Sequence, residues 1–157
     1  MVPAAAVASS VALVRGPEAK SMPLAGATSD VPLASGDRFT GSYVCSQGRT
    51  ELTLVIDDVR GDDVSVVFDF AYRGGTPGHA PASGRYRMHG TVDRRTGKLD
   101  LEAGEWIDQP NGYVTVDMEG TITTDRSGLQ TYKGRILATG SSCTTFHVTR
   151  RAVIPSR

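Results

Sequence analysis

Apolar and polar residues alternate with period two along most of the chain from Phe39 onward. In TELTLVIDDV, Leu52, Leu54 and Ile56 fall on one side, and Glu51 and other polar residues fall on the opposite side. A strand with one buried face has this pattern, because successive side chains point to opposite faces of a sheet. The pattern predicts half-buried β-strands, and no segment has the apolar spacing and length of a convincing helix.

Runs of this kind follow one another between short turns. They read FTGSYVCS, TELTLVIDDV, DDVSVVFDFAY, RYRMHGTV, KLDLEAGEW, YVTVDMEGTIT, LQTYKGRILAT and CTTFHVTR. In the sixth run, Val114, Val116, Met118 and Ile122 are expected on the apolar face. Antiparallel strands with one apolar face can bury it, and remove both sheet edges, by closing into a barrel. We predict an all-β fold of about eight strands in a small closed meander barrel, with a two-sheet β-sandwich as the alternative.

The chain divides into an arm, a domain and a tail. Residues 1–37 are expected to be a flexible arm or a weak signal-like segment plus a linker, 38–151 the barrel domain, and 152–157 a tail. The start, MVPAAAVASSVALV, has the alanine-rich apolar run of a secretory signal but lacks a basic residue before Arg15. The following Pro-, Gly-, Ala- and Ser-rich stretch lacks periodicity, which is typical of a linker.

The two cysteines favour the barrel. Cys45 lies in the first run and Cys143 in the last, and these strands are neighbours in a closed meander. We therefore predict a disulfide, which would close a loop of about 98 residues and favour a secreted or periplasmic protein. The alternative is two free thiols in a cytoplasmic protein. Strict alternation sends Cys143 outward, so the bridge is expected on the outer surface or near a bulge.

Charge and composition exclude several partner classes. Lys+Arg and Asp+Glu both number 17, so the chain shows no electrostatic footprint for nucleic acid or an anionic membrane. No stretch reaches the roughly 18 consecutive apolar residues of a membrane span. Arginine supplies most of the positive charge, which we interpret as the codon usage of a GC-rich, bacterial genome.

Recognisable catalytic motifs are absent from the sequence. It contains no P-loop, no G-x-S-x-G elbow and no H-E-x-x-H, and we predict no cofactor and no metal. His89 and His147 fall on polar sides of strands, and His79 lies in the loop GGTPGHAPASG. The acidic stretch IDDVRGDD lacks ordered metal-ligand spacing, so we interpret it as solvated. Whether the protein is an enzyme stays open, with a non-catalytic role favoured.

The stretch GEWIDQPNGY is the candidate binding segment. It contains the chain's only tryptophan, Trp106, and its only asparagine, Asn111. Trp106 either plugs one end of the barrel or forms an aromatic platform with Tyr113 at the barrel mouth. Sugars stack on such faces, and polar neighbours can hydrogen-bond their hydroxyl groups. The polar candidates are Glu105, Asp108, Gln109 and Asn111. Glu105 and Asp108 also resemble the paired carboxylates of glycoside chemistry.

Two short stretches resemble lipocalin-like barrels. Gly41, Ser42 and Tyr43 are similar to a variant of the Gly-x-Trp of that family, and Arg150 is similar to its capping arginine. The tryptophan is absent and no helix follows the last run, so we assign no family.

Three functions follow as hypotheses. The first is a non-catalytic binding module, exported, for a small molecule, a carbohydrate or a partner protein. The second is a small-barrel enzyme or cyclase-like catalyst whose site inside the barrel is lined by Phe68, Phe70, Tyr86, Met88 and Met118. The third is a structural protein that assembles into a homo-oligomer through the SSVALVR segment of its arm.

Overall fold

The protein is a closed β-barrel in a computed structural model that describes residues 31–137 and 142–151. Each strand pairs antiparallel with the next in sequence, and the first pairs with the last. The strands are β1 (Arg38–Cys45), β2 (Gly48–Arg60), β3 (Asp63–Tyr72), β4 (Ala82–Val92), β5 (Lys98–Asp108), β6 (Asp117–Thr124), β7 (Leu129–Leu137) and β8 (Thr145–Arg151). This ring confirms the predicted meander barrel over the two-sheet sandwich, and the described ranges contain no helix.

Alternation along the strands fills the barrel interior. Leu52, Leu54 and Ile56 of β2 are buried as expected, and Phe68 and Met88 on the next two strands are fully buried. An eight-stranded barrel has an interior just wide enough for such side chains. The core therefore lies inside a single ring of strands.

The sixth predicted strand begins later than its pattern indicated. β6 starts at Asp117, so Val114 belongs to the β5–β6 loop, and its side chain is 70% exposed. The expectation that Val114 faces the core is therefore wrong, whereas Val116 is buried. The cause is tertiary: β6 pairs with β5 only along Lys98–Leu101, and the two strands separate beyond that point.

The meander gives the barrel two different ends. The open end carries the β1–β2, β3–β4, β5–β6 and β7–β8 connections. The opposite end, which we call the strapped end, carries the other turns and the segment 31–37. Residues 31–37 fall within the predicted arm, and residues 1–30 and 152–157 lie outside the described residues.

The segment 31–37 packs across the strapped end. Val31 and Leu33 are buried against the core, and the Gln130 Nε2 donates to the Pro32 carbonyl at 3.2 Å. Asp37 pairs with Arg150 at 3.1 Å, and both side chains are largely buried. The Arg150 guanidinium also lies 5.6 Å from the centre of the Phe39 ring. Arg150 thus caps the strapped end over Phe39, whereas Tyr43 lies at the open end.

No helix in the described part of the chain has the length and apolar character needed to cross a membrane.

Candidate ligand-binding site

A cavity of about 350 Å³ lies at the open end of the barrel. Strands β1, β3 and β4 supply its inner wall, and all four connections at that end supply its mouth. Loops held by a rigid barrel are common ligand sites. The volume lies near the lower limit of small-molecule sites, which span roughly 300–1,000 Å³.

Aromatic rings form the inner wall of this cavity. The Phe68 and Tyr86 rings are stacked with centroids 4.6 Å apart, and the Phe70 and Tyr113 rings are stacked at 5.3 Å. Tyr43 meets Phe68 and Phe70 edge-on, at 5.4 and 6.4 Å. Offset-stacked and edge-to-face pairs are the favoured arrangements of aromatic side chains. The wall is therefore a mutually supported aromatic cluster.

Tyr86 holds the wall and the β5–β6 loop together. Its hydroxyl donates to the Val116 carbonyl at 3.1 Å and accepts from the Val116 N–H at 3.2 Å. Burial raises the pKa of this hydroxyl well above its ordinary value of 10.0, so it stays protonated. Nearby, the Asp117 Oδ1 accepts from the Ala103 N–H at 2.7 Å. These side-chain contacts join β5, β6 and their loop where the strands no longer pair.

Polar groups link the β1–β2 and β3–β4 connections at the mouth. The Gln47 carbonyl accepts from the Thr76 hydroxyl at 2.6 Å, and the Gln47 Nε2 donates to the Thr50 hydroxyl at 3.0 Å. The Thr76 N–H donates to the Tyr72 hydroxyl at 2.8 Å, and the Thr76 carbonyl accepts from the His79 N–H at 3.2 Å. The β1–β2 and β3–β4 connections are thereby fixed to each other, with Gln47 and His79 in the cavity lining.

The predicted disulfide between Cys45 and Cys143 is present and lines the cavity. Cys143 precedes β8, which begins at Thr145, so the expectation that it lies in the last strand is wrong. Cys143 lies in the loop before β8, so the alternation of that strand does not set the direction of its side chain. The bridge lies at the mouth of the barrel. It ties the β7–β8 connection to the end of β1, beside a hydrogen bond from the Thr144 N–H to the Val44 carbonyl at 2.9 Å.

Charged side chains are absent from the described lining of this cavity. Besides the five aromatic residues and the disulfide, the described lining consists of glycine, valine, serine, glutamine and histidine residues. Residues 138–141, which lie outside the described ranges, read Ala-Thr-Gly-Ser and add no charge by sequence. The cavity therefore offers a ligand apolar contact and neutral hydrogen-bonding groups.

The two aromatic candidates of the GEWIDQPNGY segment have different positions. Tyr113 lines the cavity and is partly buried against Phe70. Trp106 is partly buried beside the wall, where it pairs across the strands with Tyr86; its ring meets Tyr86 edge-on at 5.0 Å and Phe70 at 6.3 Å. Trp106 thus supports two rings of the wall from the side, and the structure does not place it among the lining residues.

The four polar candidates lie around the mouth on the exposed surface. The Gln109 Nε2 donates to the Tyr113 carbonyl at 3.1 Å, which stabilises the loop carrying that ring. Asn111 borders a neighbouring depression, and Asp108 pairs with Arg85 at 2.8 Å on the outer face. Glu105 is exposed on β5. The structure therefore gathers one of the six predicted binding residues, Tyr113, into the cavity lining.

Several lining residues were not predicted as ligand contacts. Tyr43, Gln47 and His79 come from separate segments, which the barrel and its loops bring together. A usable signal was present: the meander brings the end of β1, the end of β3 and the start of β4 to the same end of the barrel, and aromatic residues are concentrated there. Of the five residues predicted to line an interior site, Phe68, Phe70 and Tyr86 line the cavity, whereas Met88 and Met118 are buried in the core.

Two acidic side chains at the end of β2 form ion pairs. Asp57 pairs with Arg87 at 3.1 Å and Asp58 with Arg60 at 2.8 Å. Among residues 31–137 and 142–151, no group of three or more His, Cys, Asp or Glu side chains is placed to hold a metal ion.

Comparisons of the chain with protein-family models, curated proteins and solved structures find no match.

Proposed function

We propose that this protein is a non-catalytic binding module that takes a small apolar molecule into the cavity at its open end. The observation that carries the proposal is the cavity of about 350 Å³, walled by five aromatic side chains and lacking charged residues among its described lining. Apolar walls with a few convergent polar groups are typical of small-molecule sites. Release of water from such surfaces drives binding.

The chemistry of the wall favours an apolar molecule over a carbohydrate. A sugar presents many hydroxyl groups, and each buried hydroxyl without a partner costs free energy. The Tyr86 hydroxyl already binds Val116 through both of its roles, so it has little capacity left for a ligand. Polar contacts are concentrated at the mouth, around Gln47 and His79.

The same lining argues against a catalyst in this cavity. General acid–base chemistry uses positioned carboxylates, imidazoles or amines. His79 is the only described lining residue with such a group, because no Asp, Glu, Lys or Arg accompanies it. Assembly through the arm would involve residues 1–30, which lie outside the described residues, so it stays a prediction.

We also propose that the protein works in an oxidising compartment after export. The Cys45–Cys143 bridge supports this, because disulfides persist outside the reducing cytoplasm. The signal-like start of the chain points in the same direction.

Titration with prodan, a small uncharged fluorescent naphthalene, tests the proposed binding. We expect one prodan per chain, with a blue-shifted emission. Val114→Lys should weaken binding about tenfold, because it brings a charge to a cavity whose described lining is uncharged. Val114 is 70% exposed, so the variant should fold normally.

Ile107→Lys is the matched control, since Ile107 is 39% exposed on β5 and lies outside the described lining. It should bind prodan like the original protein. Equal prodan affinities for the two variants would show that the cavity is not the binding site.

A further inference from the structure

We infer that the cavity selects a flat, uncharged aromatic molecule that carries one hydrogen-bonding group, with its ring against Tyr113 and its polar end at the mouth. This inference rests on the proposed binding function and names the class of ligand for that site.

The orientation of the rings favours a flat ligand. Phe68 with Tyr86, and Phe70 with Tyr113, form two near-parallel pairs with interplanar angles of 18° and 21°. The two pairs are inclined to each other, since Phe68 and Phe70 meet at 60°. Phe68, Phe70 and Tyr86 are buried, whereas Tyr113 is partly exposed, so a planar ligand ring would lie against Tyr113. A stacked contact with that ring has a geometry that aromatic rings prefer.

The lack of charge in the lining favours an uncharged ligand. A buried ion needs an opposite charge or several hydrogen bonds to replace its water. The charged groups close to this end already have partners: Arg85 and Arg73 form surface ion pairs with Asp108 and Glu51, and the Asp117 carboxylate beside the wall accepts from the Ala103 N–H. A carboxylate or an ammonium group inside the cavity would therefore lose its hydration without compensation.

The positions of the polar groups orient such a ligand. The inner hydroxyl groups already have partners: Tyr86 binds Val116, and the Tyr43 hydroxyl interacts with the side chains of Thr50 and Gln47. His79 and Ser46 instead lie at the mouth on exposed connections. A ligand hydroxyl or carbonyl would find its partners there, while its ring lies against the aromatic wall. A volume near 350 Å³ limits the ligand to about the size of two fused rings.

Isothermal titration with four small probes tests this class. Naphthol, naphthoate and naphthylmethylammonium, all substituted at the same ring position, share one flat ring system and differ in charge. Decanol is uncharged and apolar but not flat. We expect naphthol to bind one per chain, with the two charged analogues at least about tenfold weaker. Decanol should also bind more weakly than naphthol.

Variants of Tyr113 separate ring stacking from general apolar contact. Tyr113→Leu keeps an apolar side chain but removes the flat face. It should weaken naphthol binding about two- to tenfold and leave decanol binding unchanged. Tyr113→Phe keeps the ring and should bind naphthol like the original protein.

The outcomes distinguish this inference from the proposed function. If decanol binds as well as naphthol and Tyr113→Leu affects both equally, the inference is overturned and the binding function stands. Equal affinity for a charged naphthalene likewise overturns the inference alone. If neither prodan, naphthol nor decanol binds, both are overturned.

Discussion

Tyr86 joins two parts of the barrel wall that have no strand pairing between them. Its side chain extends from β4 to the backbone of Val116, beyond the point where β5 and β6 separate. In most of the barrel, backbone hydrogen bonds between strands join neighbouring parts of the wall. Here the buried Tyr86 hydroxyl bonds both the N–H and the carbonyl of Val116, and buried backbone groups without partners would cost free energy. Replacing this hydroxyl should therefore affect both stability and ligand binding.

Tyr86→Phe should lower the free energy of unfolding by about 1–3 kcal/mol, because it leaves the Val116 N–H and carbonyl without their partner. Urea unfolding measures the loss, and prodan affinity should fall as the β5–β6 loop loosens. Tyr132→Phe is the matched control. Its hydroxyl is also buried and donates to the Leu99 carbonyl at 2.8 Å, but it lies outside the described cavity lining. A Tyr86→Phe variant with unchanged stability and unchanged prodan affinity would contradict the role assigned to this residue.

Three buried tyrosines should make the protein sensitive to alkaline pH. Burial raises the pKa of Tyr43, Tyr86 and Tyr132 above the ordinary 10.0. Above that pH the unfolded chain releases these protons while the folded protein keeps them, so the free energy of unfolding falls as pH rises. This contribution is fully present below about pH 10 and decreases above it by about 1.4 kcal/mol per pH unit for each tyrosine.

Urea unfolding between about pH 9 and pH 11 measures this slope. Tyr132→Phe should reduce this slope by the contribution of one tyrosine. The difference between the two proteins separates the tyrosine contribution from that of the lysines, which titrate in both. The same slope in both proteins would show that burial does not hold the Tyr132 proton.

At the scale of elements, the alternating pattern was sufficient to predict the strands and their order. β2 and β3 illustrate why: one face of each is buried, so side-chain period and burial coincide. The pattern was insufficient at the β5–β6 connection. Val114 continues the alternation, yet β6 pairs with β5 only along Lys98–Leu101, and beyond that point Tyr86 holds the backbone of Val116. Those contacts join residues 30 positions apart, which a local pattern does not report.

The candidate site was predictable to a smaller extent for the same reason. Tyr113 could be identified from its own segment, because a turn signal precedes it. Tyr43 and His79 become neighbours only after the barrel closes and two loops are tied together. Trp106 is the single tryptophan of the sequence, but its ring lies beside Tyr86 and Phe70 and outside the described lining.

The disulfide should stabilise both the barrel and the cavity mouth. The double variant Cys45→Ala and Cys143→Ala should lose about 4–5 kcal/mol of unfolding free energy, because the bridge spans a separation of 98 residues. Prodan affinity should fall as well, since the bridge ties the β7–β8 connection to β1. Urea unfolding with and without a reductant measures the first effect. A reductant should destabilise the original protein and leave the double variant unchanged; an original protein that is equally stable in both conditions would contradict this account.

At the scale of the whole molecule, the two ends of the barrel differ in their interactions. The strapped end is covered by residues 31–37 and by the Arg150–Asp37 ion pair, both packed on the core. The open end carries a cavity bounded by aromatic rings. Since the formal net charge is zero, electrostatic steering of charged partners is weak and apolar contact dominates the proposed recognition.

A crystal structure of the protein grown with naphthol tests the central claim most directly. The account predicts one naphthol molecule in the cavity at the open end, with its ring in van der Waals contact, within about 4 Å, of the Tyr113 ring. Its hydroxyl should point toward His79. An empty cavity at saturating naphthol, or naphthol bound only on the outer face of the barrel, would contradict the account.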